Sequence, residues 1–267
     1  MYSFTGRIRY SETDAQGILT PEKLIDYFQD CSTFQSEDIG AGVKSLRGRQ
    51  MAWIIVYWRV EILRMPALGE TVRIGTFPYA MKGSVGLRNF FMETESGERL
   101  ANANSVWTLV DTVSSRPVRV PADIMELYPP EEKLGMEYDS RKIRIPDLPG
   151  TKMDPVRVQE YHLDTNRHMN NGQYVRIAAG FFPPGRRVSV LRIEYRRQAM
   201  LGDSIVPVLY GDPDRAEEDS TDLLPETAAA ETPGFAEHTD SGQKARTMCI
   251  SLNTEDGRPY AILEAVF

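Results

Sequence analysis

The sequence predicts an α+β protein that is built twice from one unit, an antiparallel sheet with a helix packed on one face. Three observations predict it. Residues 58–72, WRVEILRMPALGETV, return at 191–205 as LRIEYRRQAMLGDSI, so that Arg59, Glu61, Arg64, Leu68 and Gly69 match Arg192, Glu194, Arg197, Leu201 and Gly202. Arg7 and Asp14 line up earlier with Arg157 and Asp164, and Thr94-Glu95-Ser96-Gly97 lines up later with Thr254-Glu255-Asp256-Gly257, in the same chain order. In each copy one stripe of helical period precedes a series of strand-like runs, which is the pattern of a helix laid on an antiparallel sheet. The copies span about 1–135 and 150–267, with 136–149 as linker. Their offset shrinks between Asp14 and Arg59, so the first copy is longer between its helix and its next strand.

The elements follow in order. Ser3–Arg9 alternates as a short strand. Thr20 is placed to cap a helix, and Pro21 suits its first position. Leu24, Tyr27, Phe28, Cys31 and Phe34 form the apolar stripe of that helix, which stops near Gly40. Runs at 53–64, 70–79, 84–93 and 101–113 are rich in β-branched and aromatic residues and read as strands. Glu95-Ser96-Gly97-Glu98 reads as a hairpin turn. Pro129-Pro130, Pro146 and Pro149 mark the linker region. The second helix is shorter, with Tyr174, Ile177, Ala178 and Phe181 as its stripe and Pro183-Pro184 as its end. Two such sheets side by side would bury a pair of helices between the copies.

Composition narrows the function. The chain has 267 residues, 41% hydrophobic and 26% charged, which are globular values. Its apolar runs, such as Trp53–Trp58, fall far short of the roughly 20 residues of a membrane span. The start, Met1–Arg7, has no apolar signal core, so a cytoplasmic location is expected. Cys31 and Cys249 fall on a helix face and in a strand (Arg246–Leu252), as core residues rather than nucleophiles. The net charge is −7, yet ten acidic residues against the single base Arg215 lie between Gly211 and Gly242. That acidic insertion reads as a solvated loop. The remainder is close to neutral, so neither nucleic acid nor a membrane is an expected partner.

The chemistry concentrates in one loop. Of the three histidines, His162, His168 and His238, the last sits in the acidic insertion. His168 lies in Asp164-Thr165-Asn166-Arg167-His168, between the first strand and the helix of the second copy. Acid, amide and imidazole are spaced by two, so an extended loop would turn all three to one side. The helix start that follows offers free N–H groups to a developing oxyanion. Histidine supplies a base near neutral pH, and the aspartate could fix its tautomer. The same loop would also serve as a plain turn and cap. The matching loop of the first copy carries Asp14, Gln16 and Ile18 and lacks the histidine, so only the second copy is expected to react. Ligand spacing for a metal, a glycine-rich phosphate loop and a Gly-x-Ser-x-Gly elbow do not occur, and no cofactor is expected.

The run Leu163-Asp164-Thr165-Asn166-Arg167-His168-Met169-Asn170-Asn171-Gly172-Gln173-Tyr174 closely resembles the signature of the acyl-acyl carrier protein thioesterases of the tandem hotdog fold. Ile193-Glu194-Tyr195-Arg196-Arg197-Gln198 looks like the family's next strand, and Ser11–Gly17 is similar to its bacterial branch. The resemblance covers the chain apart from the acidic insertion. It implies hydrolysis of acyl-acyl carrier protein, with release of free fatty acid and an end to chain elongation. It implies Asp164, Asn166 and His168 as catalytic positions. Plant members place a glutamate where this chain has Gln198, which can orient a water but cannot take its proton. Glu194 is a conceivable substitute base, but it matches Glu61 of the unreactive copy and reads as structural.

The resemblance favours the first copy as acyl-chain pocket, with Met51, Trp53, Ile55, Tyr57, Met81 and Phe90 as candidate walls. The implied partner is a carrier protein with a fatty acyl-pantetheine arm. Arg141, Lys142 and Arg144, or Arg186, Arg187, Arg196 and Arg197, would form its landing patch. The assembly is expected to be a monomer or homodimer. Two rival readings are a non-catalytic acyl-binding hotdog protein and a hotdog hydroxyacyl dehydratase.

Overall fold

A computed structural model describes residues 1–211 and 246–267. The acidic insertion expected at 211–242, His238 included, lies outside the described residues beyond Gly211.

In the first half, β1 (Tyr2–Arg7) leads to α1 (Pro21–Asp38), α2 (Val43–Gly48), β2 (Met51–Ile62), β3 (Thr71–Lys82), β4 (Val85–Thr94), β5 (Arg99–Asp111) and α3 (Ala122–Glu126). In the second, β6 (Thr151–Lys152), β7 (Val156–Arg157), α4 (Asn171–Ala179), β8 (Val190–Tyr195), β9 (Ser204–Tyr210), β10 (Thr247–Asn253) and β11 (Pro259–Val266) follow. The strands form one sheet in the order β1-β3-β4-β5-β2-β8-β11-β10-β9-β6, with β7 on β9. Each half is an antiparallel sheet around a helix, which is the tandem hotdog arrangement. The halves meet at β2 and β8, paired antiparallel from Tyr57↔Glu194 to Glu61↔Val190.

The helices lie on the inner face. α1 buries Leu24, Ile25, Tyr27, Phe28 and Cys31 against the sheet, while Phe34, expected in its stripe, is 43% exposed. Phe34 packs edge-on against Phe4 of β1, at the edge of the sheet. Thr20 stands at the cap position but does not cap, because its hydroxyl donates to the Glu12 carbonyl. Phe28, Trp58 and Phe90 form an aromatic centre, with 4.9 Å between the rings of Trp58 and Phe90. Burying each of these rings is worth roughly 1.5–3 kcal/mol. α4 packs beside α1, and the Asn171 amide donates to Gln29 Oε1 at 2.8 Å. α4 ends at Ala179, so Phe181 and Pro183-Pro184 follow the helix rather than close it.

The repeat reaches the hydrogen bonds. Gly69 and Gly202 hold φ of +82° and +83°, a left-handed turn that glycine adopts without a Cβ clash. The Ile8 and Val158 N–H groups donate to the carbonyls of Glu70 and Asp203, each at 2.9 Å. The Ala67 and Met200 N–H groups donate to the carboxylates of the same two acids.

The linker is not a loose tether. It crosses the outer face over the seam between the halves, where Ile143 is buried with Tyr57, Val106, Cys249 and Ile262. Glu61 accepts the Glu137 N–H and Glu194 accepts the Ile143 N–H, so the two matched glutamates clasp the linker. Arg59 is 6% exposed and binds Glu61, Glu137 and Asp139, while Arg192 binds Asp139 and Glu264. Tyr57 donates to Asp139 at 2.6 Å. Asp139 therefore serves two largely buried cations. Asp139→Ala should cost about 1–3 kcal/mol, since both arginines and Tyr57 lose a hydrogen-bonded carboxylate although each arginine keeps another. Thermal denaturation should register this as a fall of several degrees in Tm, and an unchanged Tm would remove the linker from the stabilising framework.

Candidate active site

The loop 164–168 is a tight turn rather than an extended segment. Asp164 N–H donates to the His168 carbonyl at 2.8 Å, and Arg167 N–H donates to the Asp164 carbonyl at 3.0 Å. Asp164 Oδ1 accepts the N–H groups of Asn166 at 2.8 Å and His168 at 3.1 Å. Asp14 Oδ1 accepts those of Gln16 and Ile18 at 2.9 and 3.0 Å in the first copy. The aspartate thus holds its own turn together, as short polar side chains do. Among the described residues no hydrogen bond joins its carboxylate to the His168 imidazole. The expectation that an extended loop turns all three side chains to one side therefore loses its premise, because the loop is a turn. Arg167 occupies the left-handed position, φ +61°, that Gly17 fills in the first copy.

His168 is half-buried and stands beside Met200 across a β-bridge. Met169 N–H donates to the Ala199 carbonyl at 2.9 Å, which carries the segment holding exposed Gln198 alongside the loop. Glu194 is committed elsewhere. Its carboxylate binds Arg196 at 2.9 Å and accepts the Ile143 N–H at 2.9 Å, so it is structural and ties up one arginine of the second basic patch.

The start of α4 is also engaged. Asn170 Oδ1 accepts the Gly172 N–H at 2.8 Å, and a Cβ on Gly172 would stand 2.3 Å from Asp26 Oδ1. The oxyanion donor expected from this helix end is therefore occupied at Gly172.

Asn166 is different. It is exposed, and its Oδ1 accepts from Arg47 of α2 at 3.3 Å. Asn166 and Arg47 stand on the rim of a cavity of about 160 Å³ in the first half. Trp53, Met81, Leu87 and Trp107 give it apolar walls, and Ser32, Arg88 and Tyr128 lie at its buried end. Of the six candidate walls, Met51, Trp53 and Met81 line it. Ile55 and Phe90 belong to the central core, and Tyr57 to the outer face beneath the linker. The irregularity in β2 between Ile55 and Tyr57 turns Tyr57 to the outer face, while Ile55, on the same strand face as Met51 and Trp53, lies farther along in the core.

Arg47 and α2 were missed from the sequence. The signal was the extra length of the first copy between helix and strand, which is where α2 sits and where Ala41, Val43 and Leu46 join the cavity wall. Both thiols are buried and pushed up to about 12 by that burial, so neither is a ready nucleophile. Among the described residues no three His, Cys, Asp or Glu side chains gather as a metal site, and no helix is long and apolar enough to cross a membrane.

These features define a tandem hotdog protein with an apolar cavity in one unit and a polar turn from the other at its rim. The acyl-ACP thioesterase N-terminal domain model matches residues 1–128. Among plant relatives, a chloroplastic acyl-[acyl-carrier-protein] hydrolase of Cuphea viscosissima is 27% identical over 210 residues, 72% of this chain and 50% of the relative. An oleoyl-acyl carrier protein thioesterase of Arabidopsis thaliana is 24% identical over 219 residues, 74% of this chain and 60% of the relative. The chain thus spans half to three-fifths of the length of these relatives. An acyl-ACP thioesterase from Bacteroides thetaiotaomicron superposes with a TM-score of 0.78 at 17% identity, covering 99% of this chain and 96% of that one. The 12:0-ACP thioesterase from Umbellularia californica gives 0.77 at 15% identity, covering 99% and 95%. These likenesses establish the fold.

One group near the loop gives a pH test. His162 is buried, its Nδ1 accepts the Gln159 N–H at 3.0 Å, and burial lowers its pKa below 6.5, with Arg176 adding to the effect. On acidification the unfolded chain binds that proton first, so this contribution to stability is full above 6.5 and lost as pH falls toward the lowered value. Denaturation midpoints of the native chain and His162→Gln should draw together as pH falls through that window. A pH-independent gap between them would show that the histidine does not titrate on unfolding.

Proposed function

We propose that this chain hydrolyses the thioester of acyl-acyl carrier protein and releases free fatty acid. The observation that carries this reading is that Asn166, on the second unit's turn, sits on the rim of the first unit's apolar cavity. The first unit holds the acyl chain and the second cleaves it, and the match of residues 1–128 to the acyl-ACP thioesterase N-terminal domain model supports the same reaction.

In this reading the acyl chain enters the cavity and the thioester lies at its rim. Arg47 engages Asn166 Oδ1, which leaves the amide Nδ2 donors for the carbonyl oxygen as it gains charge. His168 takes a proton from a water that Gln198 helps to orient. The water oxygen bonds to the carbonyl carbon, the C–S bond breaks, and the thiolate leaves with the pantetheine arm. The proton held by His168 then passes to that sulfur. Asp164 touches none of the reacting atoms and acts as a positioning residue through the two N–H groups it holds.

His168→Ala should lower turnover by ~10²–10⁴-fold, with release of free thiol from an acyl-thioester as the readout. Near-normal turnover would remove His168 from the reaction. The same assay sets hydrolysis apart from both rivals, which release no thiol, and analysis of the acyl chain then separates those two, because only a dehydratase alters it.

A further inference from the structure

Among the described residues two arginines are deeply buried, and they are kept in opposite ways. Arg59, 6% exposed, is ringed by Glu61, Glu137 and Asp139. Arg88 on β4, 8% exposed, has no carboxylate in ion-pair contact among the described residues. Its Nη1 donates to Gln35 Oε1 and to Thr76 Oγ1, both neutral, and its guanidinium lies over the Tyr128 ring at 5.5 Å. The thiol of Cys31 gives no counter-charge, since burial keeps it protonated. Burial lowers Arg88 itself to about 10, which leaves it cationic at neutral pH.

A buried cation without an anion is costly, and a fixed set of neutral acceptors repays only part of that cost. Arg88 is also a wall of the cavity, at its buried end with Ser32 and Tyr128 and away from the exposed rim at Asn166 and Arg47. Its Nε and Nη2 make no hydrogen bond among the described residues. Two donors of one planar fork therefore stand at the inner end of a pocket whose other walls include Trp53, Met81 and Leu87. A hydrocarbon end would leave this charge dry and unpaired. An oxygen-bearing end would pair it, and a carboxylate would do so through two parallel bonds.

We infer that Arg88 is a specificity-determining residue that binds an oxygen-bearing distal end of the acyl group, with a terminal carboxylate as its best partner. This rests on the reading of the cavity as the acyl-chain site and goes beyond it by naming the class of chain.

Binding can test it without catalysis. Non-hydrolysable acyl-pantetheine amides of one medium chain length, ending in methyl, hydroxyl or carboxylate, are titrated against the full chain. Quenching of the cavity tryptophans Trp53 and Trp107 reports occupancy. The carboxylate-ended analogue should bind about 10–100-fold more tightly than the methyl-ended one, with the hydroxyl-ended analogue between them. Arg88→Met should abolish or reverse that order, and Arg88→Lys should retain part of it. A role confined to holding Gln35 and Thr76 would weaken all three analogues alike. Equal or tighter binding of the methyl-ended analogue to the unsubstituted protein would overturn the inference, as would binding of none, and neither result depends on how a variant folds. Preference without thiol release would instead leave the inference standing and count against hydrolysis.

Discussion

The pairing of β2 with β8 is the constraint on which the rest depends. Five residue pairs, Tyr57↔Glu194 to Glu61↔Val190, make two sheets into one and set α1 beside α4. The distance from the turn at 164–168 to the cavity of the other unit is fixed by that seam. The same residues that build the seam also face outward to the linker. Arg59 and Arg192 lie opposite each other in the register and share Asp139 beneath the linker. Linker, seam and site geometry are thus one mechanical unit, and the ion cluster matters for register more than for net stability.

Against that near-symmetric frame, the function rests on a few departures from symmetry. The two turns share Asp14 and Asp164, the same two N–H acceptances and the same closing bond to the residue four positions on. They differ where Ile18 gives way to His168 and Gln16 to Asn166. Another departure is α2, which has no counterpart among the described residues of the second half and contributes to the cavity wall. The first unit has the added cavity wall and the second the histidine. Neither change disturbs the backbone bonds that the repeat preserves.

Much of this was legible because it lives in local pattern. Strands β2 to β5 fall within three residues of the β-branched runs that predicted them, and the hairpin at 95–98 is closed by the Thr94 N–H to the Glu98 carbonyl. The aligned glutamates Glu61 and Glu194 read correctly as structural. What was illegible depends on partners distant in sequence. Whether Met51 or Phe90 faces the cavity is settled by a β-strand irregularity and by which helix covers the face. Arg47 reaches Asn166 across 119 residues. The linker, read from its prolines as a spacer, is held by residues of both units that no local period reveals.

The turn itself carries a further argument. A left-handed non-glycine residue costs on the order of 1–3 kcal/mol where the surroundings enforce it. The first copy avoids that cost with Gly17, whereas the second accepts it at Arg167, whose side chain extends toward Glu160 at 3.6 Å. Since the Asp164 carboxylate and the Met169–Ala199 bond fix the turn from both ends, the strain cannot relax without releasing one of them. A turn held in this way gives the backbone that carries Asn166 and His168 little freedom to reorganise, which is what the proposed reaction would require of it. In the first copy, where nothing is to be presented, the same turn is built without strain.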